Sequence, residues 1–304
     1  ALALDVNTSK LNRTINLSFT DPYFTPEGIS RTVDVFTRTF NASALSLGDY
    51  RWRTSGIGMR FGVPYTEVDR ISFGLSAENN TLFLGDNAPQ RFKDYVAIFG
   101  ESSTALLGQL GWRRDSRDSA FSPTRGRLNS AGLEFTLPAG DLRYYRLTYN
   151  HQVFLPLSKD YTLALNGDLG FGRAIGGKAY PLFKNFYAGG IGTVRGFAQS
   201  SLGPKDSVDN VPLGGQTRIV GSAEFIFPLP GTGNDRSFRS FVFFDVGNVY
   251  QAGSIDLADM RAATGVGLNW ASPIGPMKIS LGFPVRKLPG DRVQRIQFQV
   301  GTGF

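Results

Sequence analysis

Along most of the chain, apolar residues take turns with small or polar ones. In Ile57-Gly58-Met59-Arg60-Phe61-Gly62-Val63 one set reads Ile, Met, Phe, Val and the other Gly, Arg, Gly. Successive side chains of a strand point to opposite faces, so this spacing predicts a strand with one apolar face. The same phase recurs over residues 71–78, 131–137, 163–171, 219–227, 277–283 and 296–304. About fourteen such segments are separated by clusters of Gly, Pro, Asn, Asp and Ser. Their centres fall near residues 5, 16, 35, 57, 73, 109, 132, 149, 167, 222, 244, 266, 281 and 298. Helical periodicity is nearly absent; its best candidate, Asp256 to Ala263, is short. The pattern never changes character along the chain, which predicts one domain over residues 1–304.

The second face separates a soluble sandwich from a membrane barrel. A sandwich turns its polar face, rich in Lys and Glu, to water. Here that face carries Gly, Ser, Asn, Asp, Arg and Gln, which fits a wet lumen of limited width. Segments 144–157 and 217–228 are longer than the ~5–6 residues usual in globular sheets and reach the ~9–11 that a tilted spanning strand needs. Aromatic residues gather near segment ends, among them Trp112, Tyr144, Tyr145, Tyr250, Trp270 and Phe304, as interfacial girdles require. Short links at 64–67, 157–160 and 272–275 fall between long ones at 82–103 and 175–215, the alternation of a barrel with turns at one end and loops at the other. The predicted fold class is all-β: a transmembrane antiparallel β-barrel with a long loop.

Composition agrees. None of the 304 residues is Cys, Gly numbers 37 and Phe 25. The mean hydropathy of -0.14 is low because only alternate residues of a spanning strand need be apolar, and no run approaches the ~18 apolar residues of a membrane helix. Without Cys there is no disulfide framework and no thiolate metal site. The net charge of +7 is spread over single Lys and Arg residues with acids close by, which argues against nucleic acid and for a charged lumen or contact with anionic headgroups. The chain opens on ALALDVNT, already alternating, as though cut from something longer.

The longest connection contains Asn185-Phe186-Tyr187-Ala188-Gly189-Gly190, then Val194-Arg195-Gly196-Phe197 and Leu202-Gly203-Pro204. Together these resemble the sixth-loop motif of the BamA family of outer-membrane protein assembly factors. Further similar elements are Asp21-Pro22-Tyr23-Phe24, Asp115-Ser116-Arg117-Asp118, Pro123-Thr124-Arg125-Gly126, residues 244–249, residues 270–276 and the last strand. The resemblance runs through the whole chain in order and is closest in character to betaproteobacterial members. It implies a barrel of about sixteen strands in the outer membrane of a Gram-negative bacterium. It also implies periplasmic POTRA domains; neither these nor the family's first two strands have a counterpart here, so the first segment matches the family's third. The implied activity is folding and insertion of other β-barrels through a weak lateral seam. The implied partners are unfolded barrel substrates, accessory lipoproteins held through the POTRA domains, lipid and lipopolysaccharide. No cofactor, nucleotide, metal or nucleic acid is implied.

The resemblance further implies that the loop folds into the lumen, with Arg195 bonded to acids on neighbouring strands. Alternation independently places Glu224 and Asp245 on the lumen face, between outward Ala223 and Phe225 and outward Phe244 and Val246. A planar guanidinium can hold two carboxylates, Gly196 permits a tight turn and Phe197 can pack against the wall. In the last strand Ile296, Phe298, Val300 and Phe304 share one face, while Gln297, Gln299, Gly301 and Gly303 share the other. This resembles the C-terminal signal of barrel proteins. Gly301 and Gly303 weaken pairing at the seam, where an edge offers unpaired N–H and C=O groups to an incoming strand.

Other readings fare worse. A two-partner secretion exporter or a TamA-type factor would share the loop motif, whereas a diffusion porin would carry opposed charge ladders in its constriction. Enzyme chemistry lacks a constellation. The single His151 is in phase with Tyr149 and Val153 on the apolar face, as a girdle residue. The pieces Gly170-Phe171-Gly172 and Gly265-Val266-Gly267 lack the following helix of a phosphate cradle. Arg114, Asp115, Arg117 and Asp118 form a charge cluster read as a rim or lumen ion-pair network.

Overall fold

The computed structural model describes residues 1–45, 47–206, 210–231, 237–272 and 275–301. The wall strands are β1 (Leu2–Thr8), β2 (Asn12–Asp21), β3 (Ser30–Asn41), β4 (Tyr50–Pro64), β5 (Asp69–Leu84), β6 (Ser102–Asp115), β7 (Gly126–Gly140), β8 (Tyr144–Pro156) and β9 (Thr162–Ala174). After β10 (Gly196–Phe197) they continue as β11 (Thr217–Pro228), β12 (Phe238–Tyr250), β13 (Arg261–Ser272) and β14 (Gly275–Arg286). β15 (Val293–Gln294) and β16 (Ile296–Val300) end the described chain. Fourteen strands form one antiparallel sheet in chain order, with β10 and β15 making a separate two-stranded ladder. All fourteen predicted centres fall inside these wall strands.

From β2 to β14 the wall strands run from 10 residues in β2 to 16 in β5, long enough to cross a bilayer at a tilt. Alternation decides what each face meets. Ile15, Leu17 and Phe19, Ile57 and Met59, and Phe73 and Leu75 are exposed on the outside, where a barrel turns its apolar band to lipid. The opposite face closes round the long connection between β9 and β11. Lys184 reaches Glu134 of β7 at 2.9 Å, Arg146 of β8 stacks 4.0 Å over Phe186, and the Tyr187 hydroxyl meets that of Tyr50 in β4 at 3.4 Å.

Two expectations change. The loop fills much of the lumen with packed apolar groups, where polar alternation predicts a wet channel throughout; a cavity of about 260 Å³ lined by Gln152, Asn166, Lys278 and Gln299 keeps the polar character beside the loop tip. Phe186, Val194, Phe197 and Leu202 cluster with Val220 and Val249 of the wall, and Tyr180 and Phe183 cluster with Tyr144 and Leu107. Helix also falls elsewhere than predicted. Within 256–263 only a single 3-10 turn forms, Leu257–Asp259, before β13 begins. The α-helix of the described chain is α1 (Gln90–Phe99), in the link between β5 and β6. Its Phe92 and Tyr95 are buried, and Phe92 stacks 4.0 Å from the Tyr50 ring.

Candidate functional site

The loop motif is held against lumen-facing side chains of β11, β12 and β14. Alternation carries Ser222 and Glu224 of β11 and Asp245 of β12 to the lumen face, and Arg195 descends onto them. Its Nε donates to Asp245 Oδ2 at 2.7 Å, and Nη2 donates to Asp245 Oδ1 at 2.6 Å, a two-pronged grip that fits a planar fork to a carboxylate. The Arg195 backbone N–H adds a third bond to Asp245, at 3.0 Å. Nη1 donates to Glu224 Oε1 and Nη2 to Ser222 Oγ at 3.1 Å. Lys278 of β14 donates to the same Glu224 oxygen at 2.7 Å. The guanidinium lies 3.7 Å from the Phe243 ring centroid, an attraction strengthened by loss of water. Arg195 is 2% exposed and Asp245 0%. Charges buried so deeply need partners of this quality to offset desolvation.

The flanking motif residues set the backbone. Gly196 has φ +85, a left-handed conformation cheap only for glycine. It presses on Gly282 of β14 so closely that a Cβ at residue 282 would stand 2.7 Å from the Gly196 nitrogen. Val194 and Phe197 are fully buried. Gly196 and Phe197 pair with Gln294 and Val293, Ala198 N donates to Arg292 O at 2.8 Å, and Gln297 Nε2 donates to Phe197 O at 2.7 Å. The loop thereby bonds to the segment that leads into the last strand.

That strand is short. β16 pairs with β14 from Met277↔Val300 to Leu281↔Ile296 and stands, like β1, at an end of the strand order. Ile296, Phe298 and Val300 are exposed on the outer face, and Gln297 is buried on the inner one. Gly301 takes φ +80 and donates its N–H to Pro276 O at 2.8 Å. Gly303 and Phe304 lie outside the described residues.

Sequence reasoning missed several participants. Ser222 and Lys278 were readable from the same alternation that gives Glu224. Phe241 and Phe243 were not, since Phe241-Val242-Phe243-Phe244 looks equally apolar on both faces. The glycines of both Gly-x-Gly pieces make room for rings: a Cβ at Gly170 would meet Phe186, and one at Gly172 would meet Tyr180. At Gly265 it would meet Phe243, and at Gly267 Phe241. Asp291, in the link between β14 and β15, is another acid whose side chain is closed off from solvent. It accepts from Arg261 Nε at 3.0 Å, Arg261 Nη2 at 3.1 Å and Leu288 N at 2.8 Å, with Lys205 Nζ 3.6 Å away. Burial opposes its charge, but the Arg261 and Leu288 bonds and the Lys205 charge prevail and hold its carboxyl below the usual range. The predicted charge cluster divides: Arg117 grips Asp115 with two bonds of 2.9 Å, Asp118 accepts from Thr124 and Arg125, and Arg114 turns to Asp69 at 3.4 Å. Among the described residues no group of acids and His has metal-site geometry.

An arginine-bearing loop tied inside an antiparallel wall is the setting for the comparisons with known proteins. The family model of the Omp85 superfamily domain matches residues 1–304. The chain belongs to the Omp85 superfamily. One Omp85 relative is the outer membrane protein assembly factor BamA of Neisseria meningitidis serogroup B, 37% identical over 99% of this chain and 43% of that protein. Another is the sorting and assembly machinery component 50 homolog of Mus musculus, 32% identical over 68% of this chain and 48% of that protein. The chain thus spans less than half the length of these curated relatives. Among solved structures, BamA from Haemophilus ducreyi lacking POTRA domains 1-3 superposes with TM-score 0.91 at 27% identity, over 98% of this chain and 63% of that one. CdiB from Acinetobacter baumannii, with TM-score 0.60 at 13% identity over 94% of this chain and 49% of that one, shares the fold alone. This Omp85 chain is a β-barrel of the Gram-negative outer membrane.

Proposed function

We propose that the protein to which this barrel belongs folds and inserts other β-barrels into the outer membrane, and that it does so at the edge formed by β16. The observation that carries the reading is the brevity of that edge among the described residues: 5 residues against 12 in its neighbour β14. Unpaired backbone in hydrocarbon costs several kcal/mol per group. A weakly committed edge lowers this cost by lending its N–H and C=O groups to an incoming strand. Exposed Ile296, Phe298 and Val300 keep that edge at lipid. Arg195, with Glu224 and Asp245, acts as a tether: it fixes the loop, and the loop fixes the approach to β16 through Phe197 and Gln297. No bond is made or broken, and no cofactor takes part. Unfolded barrel chains are the substrates, accessory lipoproteins join through periplasmic domains, and lipid and lipopolysaccharide form the surroundings. The 37% identity to a BamA supports the reading.

The test is reconstitution of the full-length protein in liposomes with a urea-unfolded barrel substrate. Insertion faster than into empty liposomes is expected, together with loss of the gain when a disulfide staples β16 to the first strand. Equal rates with and without folded protein would defeat the proposal.

A further inference from the structure

The outward face breaks its own rule along one line. Cross-strand partners Asp69, Arg114, Asn129, His151, Gly167 and Gly221 form a continuous row across β5, β6, β7, β8, β9 and β11. The row on its extracellular side is apolar, with exposed Leu110, Trp112, Leu147, Tyr149 and Leu169. Ionisable and amide groups on a lipid-facing wall are costly and call for a function. The row starts at the strand ends, where Arg114 is the penultimate residue of β6, and climbs to His151 and Gly167 deeper in β8 and β9. These ends join through links 116–125 and 157–161, opposite the end that carries α1 and the motif loop. Long loops emerge outside the cell and short turns in the periplasm, so the row opens on the periplasmic leaflet.

Its chemistry has a definite complement. His151 Nδ1 bonds Asn129 Oδ1; an amide oxygen only accepts, so the imidazole donates, and Asn129 Nδ2 remains a donor without a partner among the described residues. Arg114 is countered by Asp69, whereas Arg127, exposed on the same face two residues before Asn129, has no ion pair among the described residues. Two guanidiniums against one carboxylate leave a single positive charge. A Cβ at Gly167 would meet nothing within 4 Å, so the wall is recessed beside His151. Immediately above lies an almost wholly apolar groove of about 640 Å³, lined by Leu110, Trp112, Leu133, Leu147, Tyr149 and Leu169, a volume within the ~300–1,000 Å³ of ligand sites.

We propose that this row and groove bind one anionic phospholipid of the periplasmic leaflet. The phosphodiester sits between Arg114, Arg127 and Asn129, and an acyl chain lies in the groove against Trp112 and Tyr149. The monovalent phosphodiester balances the excess charge, and the chain covers apolar wall that bulk lipid packs poorly because it is concave.

The experiment uses the full-length protein in nanodiscs, in a background with W52F, W270F and Phe at any tryptophan outside these 304 residues, so that Trp112 is the reporter. Brominated phosphatidylglycerol is expected to quench Trp112 in preference to brominated phosphatidylcholine. The preference should fall about fivefold for each of R114Q and R127Q, and K159Q, on the neighbouring turn, should leave it unchanged. Heat-modifiable migration on gels verifies that each variant is folded. Equal quenching by the two lipids, a preference that survives the double arginine variant, or equal losses from K159Q and R127Q would overturn the site. So would a photo-crosslinker at Val153 that captures a protein in cells in place of phospholipid.

Discussion

The middle of the wall and its C-terminal end are built from the same alternation but held by different means. β4 pairs with β5 along all of its 15 residues, and the ladder itself supplies the hydrogen bonds. Among the described residues β16 has 5 paired positions, and it draws on the loop: Gln297 to Phe197, and the β10–β15 ladder just before it. What a long register does for β4, a folded-in segment does for the last strand. Strength at that end is therefore adjustable from the lumen, by residues more than ninety positions away in sequence.

The comparison can be broken most forcefully at Asp245. Asp245→Ala leaves the Arg195 guanidinium buried without its main partner, at a cost of about 3–5 kcal/mol. Limited proteolysis should then cut the loop, and amide exchange of residues 293–300 should quicken while β4 and β5 stay protected. Equal loosening of both regions would show that the loop does not serve the C-terminal end in particular. Next comes Gly282→Val, which drives side-chain atoms into the Gly196 backbone and costs about 1–3 kcal/mol; its exchange signature should match that of Asp245→Ala in weaker form. Gln297→Leu deletes one bond and leaves the buried Phe197 carbonyl unpaired, at about 1–3 kcal/mol, with faster exchange confined to β16 and β15. Acid tests the Asp291 cluster. Because the Asp291 carboxyl is held below its ordinary 3.8, its contribution is complete above that value and is lost as pH falls through the lower folded one. Protection of residues 287–292 should decline there in the wild type and be pH-independent in Asp291→Asn. Smallest of all, Arg60→Gln removes a 3.8 Å contact to Asp34 from a side chain 55% exposed and should shift thermal stability by less than about 0.5 kcal/mol.

The wall was legible because period two is a local property, carried by nearly every residue of a spanning strand. The same phase put Glu224 and Asp245 on the lumen face before any coordinate. Reading the lumen as wet throughout was only half right, because alternation reports which face a side chain takes, not what a distant segment brings to it. Phe186 and Tyr180 lie against Gly170 and Gly172, and no neighbour in sequence announces them. α1 escaped notice because Pro89 caps it without a side-chain bond and only Phe92 and Tyr95 face inward, too few to reveal a helical period. Asp291 sits in an irregular link whose meaning comes only from Arg261, Lys205 and Leu288 gathering round it.

Arg195 and Lys278 face Glu224 and Asp245, two cations against two carboxylates. The charges cancel within the cluster, and the Arg195–Asp245 pair, at 3% and 0% side-chain exposure, is out of reach of dissolved ions, whereas Lys278, 27% exposed, stays open to screening. The plug should therefore stay seated in brine or in dilute medium alike, an asset for a cell surface exposed to whatever salinity its surroundings impose.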